Sequence, residues 1–137
     1  MLAPKTALFA AFALTASLAP AAAEALIKGV YLSSLELCAQ AKKDGVETVA
    51  DEGNIVLHDN RMESVEYHCD FLDVKVAAET GLLVSAYCEE PGMAFPDLLT
   101  ITQRGEGELE IFSVRDREEE KSPNSGTYYL CEGVTMP

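Results

Sequence analysis

The sequence predicts a mainly β domain: a small antiparallel barrel or sandwich of about six or seven strands with one N-terminal helix, stapled by disulfides. Three observations carry this. Only one stretch, Leu32 to Lys43, has good helical periodicity. From Gly45 onward, short apolar segments alternate with polar residues and are punctuated by Gly, Asp, Asn and Pro, as short strands joined by turns require. Finally, Cys38, Cys69, Cys88 and Cys131 follow a leader that sends a chain to an oxidising compartment, where they can pair.

The leader is residues 1–23. Lys5 precedes an apolar run from Ala7 to Leu18, Pro20 breaks the run, and Ala21-Ala22-Ala23 supplies small residues for cleavage. The run is too short to span a bilayer, and no second apolar span follows. Residues 24–137 are therefore expected to form a single β-rich domain, located in the periplasm or secreted after cleavage near Ala23. Taking 23 residues from 137 leaves 114, enough for one modest core. Removing Lys5 takes the formal net charge from −13 to −14. Such a chain repels phosphate and anionic lipid head groups, which excludes nucleic acid as a partner and argues against a membrane surface.

Along the chain, Ser33-Ser34-Leu35-Glu36 fits a capping box at the start of the helix. Leu35, Cys38, Ala39 and Lys42 fall on one stripe, expected to be buried. Lys42 and Lys43 suit the negative C-terminal end, and Asp44-Gly45 stops the helix. Ile55-Val56-Leu57 is a short strand closed by Asp59-Asn60. Val65, Tyr67, Cys69 and Phe71 alternate with Glu66, His68 and Asp70. The phase then flips to Leu72, Val74 and Val76, which requires a bulge or break near Leu72. Glu79-Thr80-Gly81 is a turn, and Leu82, Val84, Ala86 and Cys88 form the next inward face. Pro91-Gly92 opens an irregular loop through Pro96. Leu99–Thr102, Gly105-Glu106-Gly107 and Leu109–Ile111 form a hairpin. The charge run Arg115–Lys121 is a solvated loop, and Thr127–Cys131 is the last strand.

Four cysteines allow three pairings. Cys69 and Cys88 lie on the apolar faces of consecutive strands, so pairing those strands across Glu79 brings the sulfurs close. This favours Cys69–Cys88 and leaves Cys38–Cys131, which ties the helix to the last strand. The spacing matches neither a Cys-x-x-Cys redox motif nor a zinc cage.

The polar side of the clearest strand holds Glu66, His68 and Asp70, with His58 on the strand before. Imidazoles and carboxylates converging on one face suit a metal ion or an acid–base pair, and these four are the candidate ligands of a metal or small-ligand carrier. No nucleophile elbow and no phosphate loop occurs in the sequence. The chain is accordingly expected not to be an enzyme, to need no cofactor and to act as a monomer.

The acidity suits a basic envelope protein as partner. Glu89-Glu90, Glu106, Glu108, Glu110 and Glu118-Glu119-Glu120 would form a negative rim if their loops share one end of the fold. Phe95, Tyr128 and Tyr129 are candidate anchors. Ser125-Gly126-Thr127-Tyr128-Tyr129 is similar to the Ser-Gly-x-x-Tyr loop motif of periplasmic C-type lysozyme inhibitors. The match covers five residues. It implies a small disulfide-containing β-barrel whose loop enters the cleft of a basic enzyme, with Ser125 and Tyr129 as contact residues.

Overall fold

The computed structural model describes residues 27–137; the leader expected over residues 1–23 lies outside them. The described chain forms a closed antiparallel barrel in which every strand neighbours the next in sequence. Its strands are β1 (Tyr31–Leu32), β2 (Val56–His58), β3 (Arg61–Glu63), β4 (His68–Ala78), β5 (Gly81–Glu90), β6 (Met93–Gly105), β7 (Glu108–Ser113) and β8 (Gly126–Leu130). β1 pairs with β8 and closes the barrel. Two helices, α1 (Leu35–Asp44) and α2 (Val46–Asp51), connect β1 to β2.

The structure thus has eight strands where six or seven were expected. The additional pieces are short. β1 has two residues, of which Leu32 falls in the helix expected from the sequence, while β3 has three, a single apolar Met62 between Arg61 and Glu63. β2 and β3 are joined by Asp59-Asn60, both with positive φ (42° and 60°), the conformation of a two-residue hairpin turn.

The helical region is also revised. Ser34, not Ser33, is the N-cap, its hydroxyl accepting from the Leu37 amide at 3.2 Å. Of the expected stripe, Cys38 faces inward but Leu35, Ala39 and Lys42 are exposed, and Leu37 and Ala41 join Cys38 on the inward side. Gly45, at φ 93°, ends α1 as expected, but α2 starts at once. Val46 and Val49 of α2 pack with Val30, Leu32, Val56 and Cys131, a second core outside the barrel wall.

Strand register fixes which side chains enter the barrel. Leu57, Met62, Cys69, Cys88 and Phe95 are partners across five consecutive strands, and all are buried. Leu99, Ile101, Ile111, Tyr67 and Tyr128 complete the interior. Each large side chain buried there contributes about 1.5–3 kcal/mol. The phase flip is a bulge between Phe71 and Asp73 that leaves Leu72 outside.

Two expected boundaries move. β4 begins at His68, and Val65 and Glu66 sit in the preceding turn, Val65 exposed. The segment from Met93 to Pro96 is the start of β6, with Pro91-Gly92 as a tight turn. Pro96 is tolerated there because β7 first meets β6 at Leu99, so Pro96 pairs on one side only, with Tyr87.

The disulfides are Cys38–Cys131 and Cys69–Cys88. The first fastens α1 to the residue after β8 in the outer core, and the second crosses β4 and β5 in the barrel interior. Both are compatible with an oxidising compartment. No helix among the described residues is long and apolar enough to cross a membrane.

Candidate functional site

The barrel has two unlike ends. The turn end carries the tight β2–β3, β4–β5 and β6–β7 connections. The loop end carries the helices, the β3–β4 turn, Pro91-Gly92 and the β7–β8 loop, residues 114–125.

A buried polar cluster plugs the loop end. Asn124, completely buried, donates to Asp97 Oδ2 at 2.9 Å and accepts from the Tyr67 hydroxyl at 2.7 Å. Its Nδ2 also lies 3.5 Å from Cys88 Sγ and 3.7 Å from Cys69 Sγ. The other Asp97 oxygen accepts from the Ser113 hydroxyl at 2.6 Å and from the Leu98 amide at 2.8 Å. Desolvation pushes the Tyr67 hydroxyl up to about 12, against the lowering effect of its bond to Asn124. Burial likewise raises Tyr128 far above the usual phenol range.

Outside this plug, Asp116 organises the β7–β8 loop. It accepts from the Ser122 amide at 2.7 Å, the Ser125 hydroxyl at 2.8 Å and the Ser113 amide at 3.4 Å. Partial desolvation raises its pKa, but these bonds outweigh that and leave it below the ordinary aspartate value. At the loop tip the Arg117 amide donates to the Glu120 carbonyl at 2.8 Å and the Glu120 amide returns to Arg117 at 3.3 Å. This small hairpin presents Glu118 and Glu119 to solvent. Arg115 lies 4.2 Å above the Phe95 ring.

The acidic groups are divided between the ends. Glu106, Glu108 and Glu110 belong to the turn-end hairpin of β6 and β7, so the single rim expected from the sequence does not form. The loop end holds Glu63, Glu66, Glu89, Glu90 and Glu118–Glu120. Glu63, Glu66, Glu89 and Glu90 line a groove of about 340 Å³, and Glu90 also lines an adjoining cleft of about 630 Å³ bounded by Arg115, Arg117, Glu120 and Lys121.

The expected anchors are placed differently. Phe95 and Tyr128 are buried in the barrel core, and Tyr129 is half-buried on β8. The Ser-Gly-x-x-Tyr segment is mostly strand. Its Ser125 holds Asp116, while Tyr129 lies four residues along, about 13 Å away at strand rise.

The polar face of β2 to β4 is a hydrogen-bonded network of histidines, carboxylates and Arg61. His58 Nε2 is 2.8 Å from Glu63, Arg61 is 2.9 Å from Asp70, and His68 Nε2 is 3.0 Å from Asp70. His58, His68 and Asp70 are thus neighbours, but Glu66 is in the turn, and Arg61 sits between His58 and Asp70 in the register. Among the described residues no group of three or more His, Cys, Asp or Glu is disposed to hold a metal ion. The sequence did not single out Glu63, Arg61, Asp97, Asp116 or Asn124: the bonds of Asn124 to Tyr67 and Asp97 span 57 and 27 residues, and the short-range bonds of Glu63, Arg61 and Asp116 follow no recognised motif.

No protein family, no curated protein and no solved structure matches this chain.

Proposed function

We propose that the protein is a non-catalytic binding module that captures a cationic protein at its loop end. The observation that carries this reading is the groove that gathers Glu63, Glu66, Glu89 and Glu90 at the loop end, with Glu90 also lining the charge-balanced cleft under the β7–β8 loop, where Glu90, Asp116 and Glu120 face Arg115, Arg117 and Lys121. The loop beside it is held by Asp116 and by the paired amides of Arg117 and Glu120, so little conformational entropy is lost on docking. The formal net charge of −13 steers a basic partner toward the molecule, and the groove gives the encounter a fixed place. A lysozyme-type basic hydrolase is one example of such a partner.

The experiment is calorimetric titration of a small basic hydrolase into the oxidised protein at low and moderate salt. Charge reversal at the loop end (Glu90→Lys with Glu118→Lys) is compared with reversal at the turn end (Glu106→Lys with Glu110→Lys). Loop-end reversal is expected to weaken binding at least about tenfold, the effect of roughly 1.4 kcal/mol, while turn-end reversal changes it little. Equal effects at both ends, or no binding at low salt, would reject the reading.

A further inference from the structure

The geometry points to a second binding site at the opposite end: the barrel mouth is a receptor for a small organic cation with a compact apolar body, such as a monocyclic aromatic amine. The mouth is a cleft of about 180 Å³. Its floor and wall are Ile27, Tyr31, Leu82, Ile101 and Leu109. Ile27 and Ile101 are buried core residues, whereas Tyr31, Leu82 and Leu109 pack against the core while remaining only partly covered. These inward-facing groups therefore leave apolar surface inside a concave space. An apolar cavity of about 150 Å³ is enough to take up one benzene ring.

The rim supplies the charge preference. Glu79, from the β4–β5 turn, and Glu108, at the start of β7, both line the cleft. Thr80 and Gln103 add neutral polar groups, and no lysine, arginine or histidine is among the lining residues. An anion would meet carboxylates at the rim with no cation among the lining residues, whereas an ammonium group would meet a favourable negative rim while its ring enters the apolar floor. Burial raises the pKa of Tyr31, so its hydroxyl remains neutral across the physiological range. Size sets the upper limit: a peptide segment does not fit, and a single ring with a short aminoalkyl arm does. The site shares no lining residue with the loop-end surface and is independent of partner capture there.

The test is a two-dimensional amide NMR titration of the oxidised protein with benzylammonium, using benzyl alcohol as the neutral probe of nearly the same shape. Saturable shifts at Leu82, Ile101 and Leu109 are expected, with Kd on the order of 0.1–1 mM for eight non-hydrogen atoms. Benzyl alcohol is expected to bind at least about fivefold more weakly, and Glu108→Gln to weaken benzylammonium about threefold or more. Leu109→Trp fills the mouth and should abolish the shifts. If that variant does not fold, Thr80→Trp in the exposed β4–β5 turn serves the same purpose. The proposal is overturned by any of three results: no saturable shift, equal affinity for benzyl alcohol, or shifts that survive a folded, mouth-filling variant.

Discussion

Asn124 Nδ2 lies 2.9 Å from Asp97 Oδ2, joining the last residues of the β7–β8 loop to the middle of β6 inside the barrel. Both residues are buried: Asn124 is 0% and Asp97 5% exposed. The pair fastens the loop end to the core, and the Tyr67 hydroxyl completes the asparagine's bonding. Asn124→Ala leaves both a buried carboxylate oxygen and a buried phenol short of a partner. It is expected to destabilise the fold by about 1–3 kcal/mol, the cost of leaving a buried polar group without its partner. Urea unfolding of the oxidised protein measures this, and a loss below about 1 kcal/mol would mean that water replaces the amide.

The two disulfides should differ in weight. Cys38–Cys131 closes a separation of 93 residues and Cys69–Cys88 one of 19. In the chain-entropy account these correspond to roughly 4.6 and 3.2 kcal/mol. The double variant Cys38→Ala/Cys131→Ala is therefore expected to lower the denaturation midpoint more than Cys69→Ala/Cys88→Ala does, less any cavity cost. Because the Cys69–Cys88 pair is buried against Asn124, that cavity cost falls on the shorter bridge. Denaturation midpoints of the two variants, with m-values checked for constancy, decide between loop length and packing.

Asp116 has a folded pKa below its ordinary value. A depressed carboxylate stabilises the fold above its unfolded pKa and loses that contribution as pH falls through the folded value. Asp116→Asn should thus destabilise the β7–β8 loop at neutral pH and make little difference once the pH has fallen below the depressed folded value, where the wild-type carboxylate is itself protonated. Carboxyl-carbon NMR titration locates the midpoint, and a value at or above 3.8 would contradict the hydrogen-bond account.

The tyrosines act in the opposite direction. Tyr67 is raised to about 12 by burial, and Tyr128 is raised as well. A phenol with a raised folded pKa gives stability that is complete below about pH 10 and is lost as pH rises through the folded value. Alkaline titration followed by tyrosinate absorbance should show these two ionising together with loss of near-ultraviolet dichroism, between about pH 10 and 12. Ionisation near pH 10 with the fold intact would show that their burial is not maintained.

Gly29 and Gly107 both approach Leu130 at the turn end. A β-carbon at Gly29, where φ is 93°, would lie 2.8 Å from Leu130 Cδ1, and one at Gly107 would lie 3.2 Å from Leu130 Cβ. Gly29→Ala combines left-handed strain with a clash and is expected to cost about 1–3 kcal/mol. A thermal midpoint lowered by several degrees would agree with this, and an unchanged one would show that Leu130 yields freely.

The parts of the fold legible in the sequence are those with a short period. Leu82, Val84, Ala86 and Cys88 announce an inward strand face because alternation is local, and the flip after Phe71 announces the bulge. The same alternation places Cys69 and Cys88 on facing strands. What was misread is short or context-dependent. α2 has only Val46 and Val49 as a buried pair, too little for a periodic signal. Val65 and Glu66 extend an alternating pattern into what is a turn, since alternation does not specify where pairing stops.

The sequence by itself determined the β character, the acidity and the facing of Cys69 and Cys88, because composition and side-chain period are properties of neighbouring residues. Only the tertiary structure decided which glutamates share an end, that Glu66 leaves the histidine face, and that Phe95 and Tyr128 are buried in the barrel core. It also decided the Asp97–Asn124 pair, whose members are 27 residues apart. The physical reason is register: closing β1 onto β8 fixes every strand's offset at once, and the position of a side chain around the barrel depends on that closure.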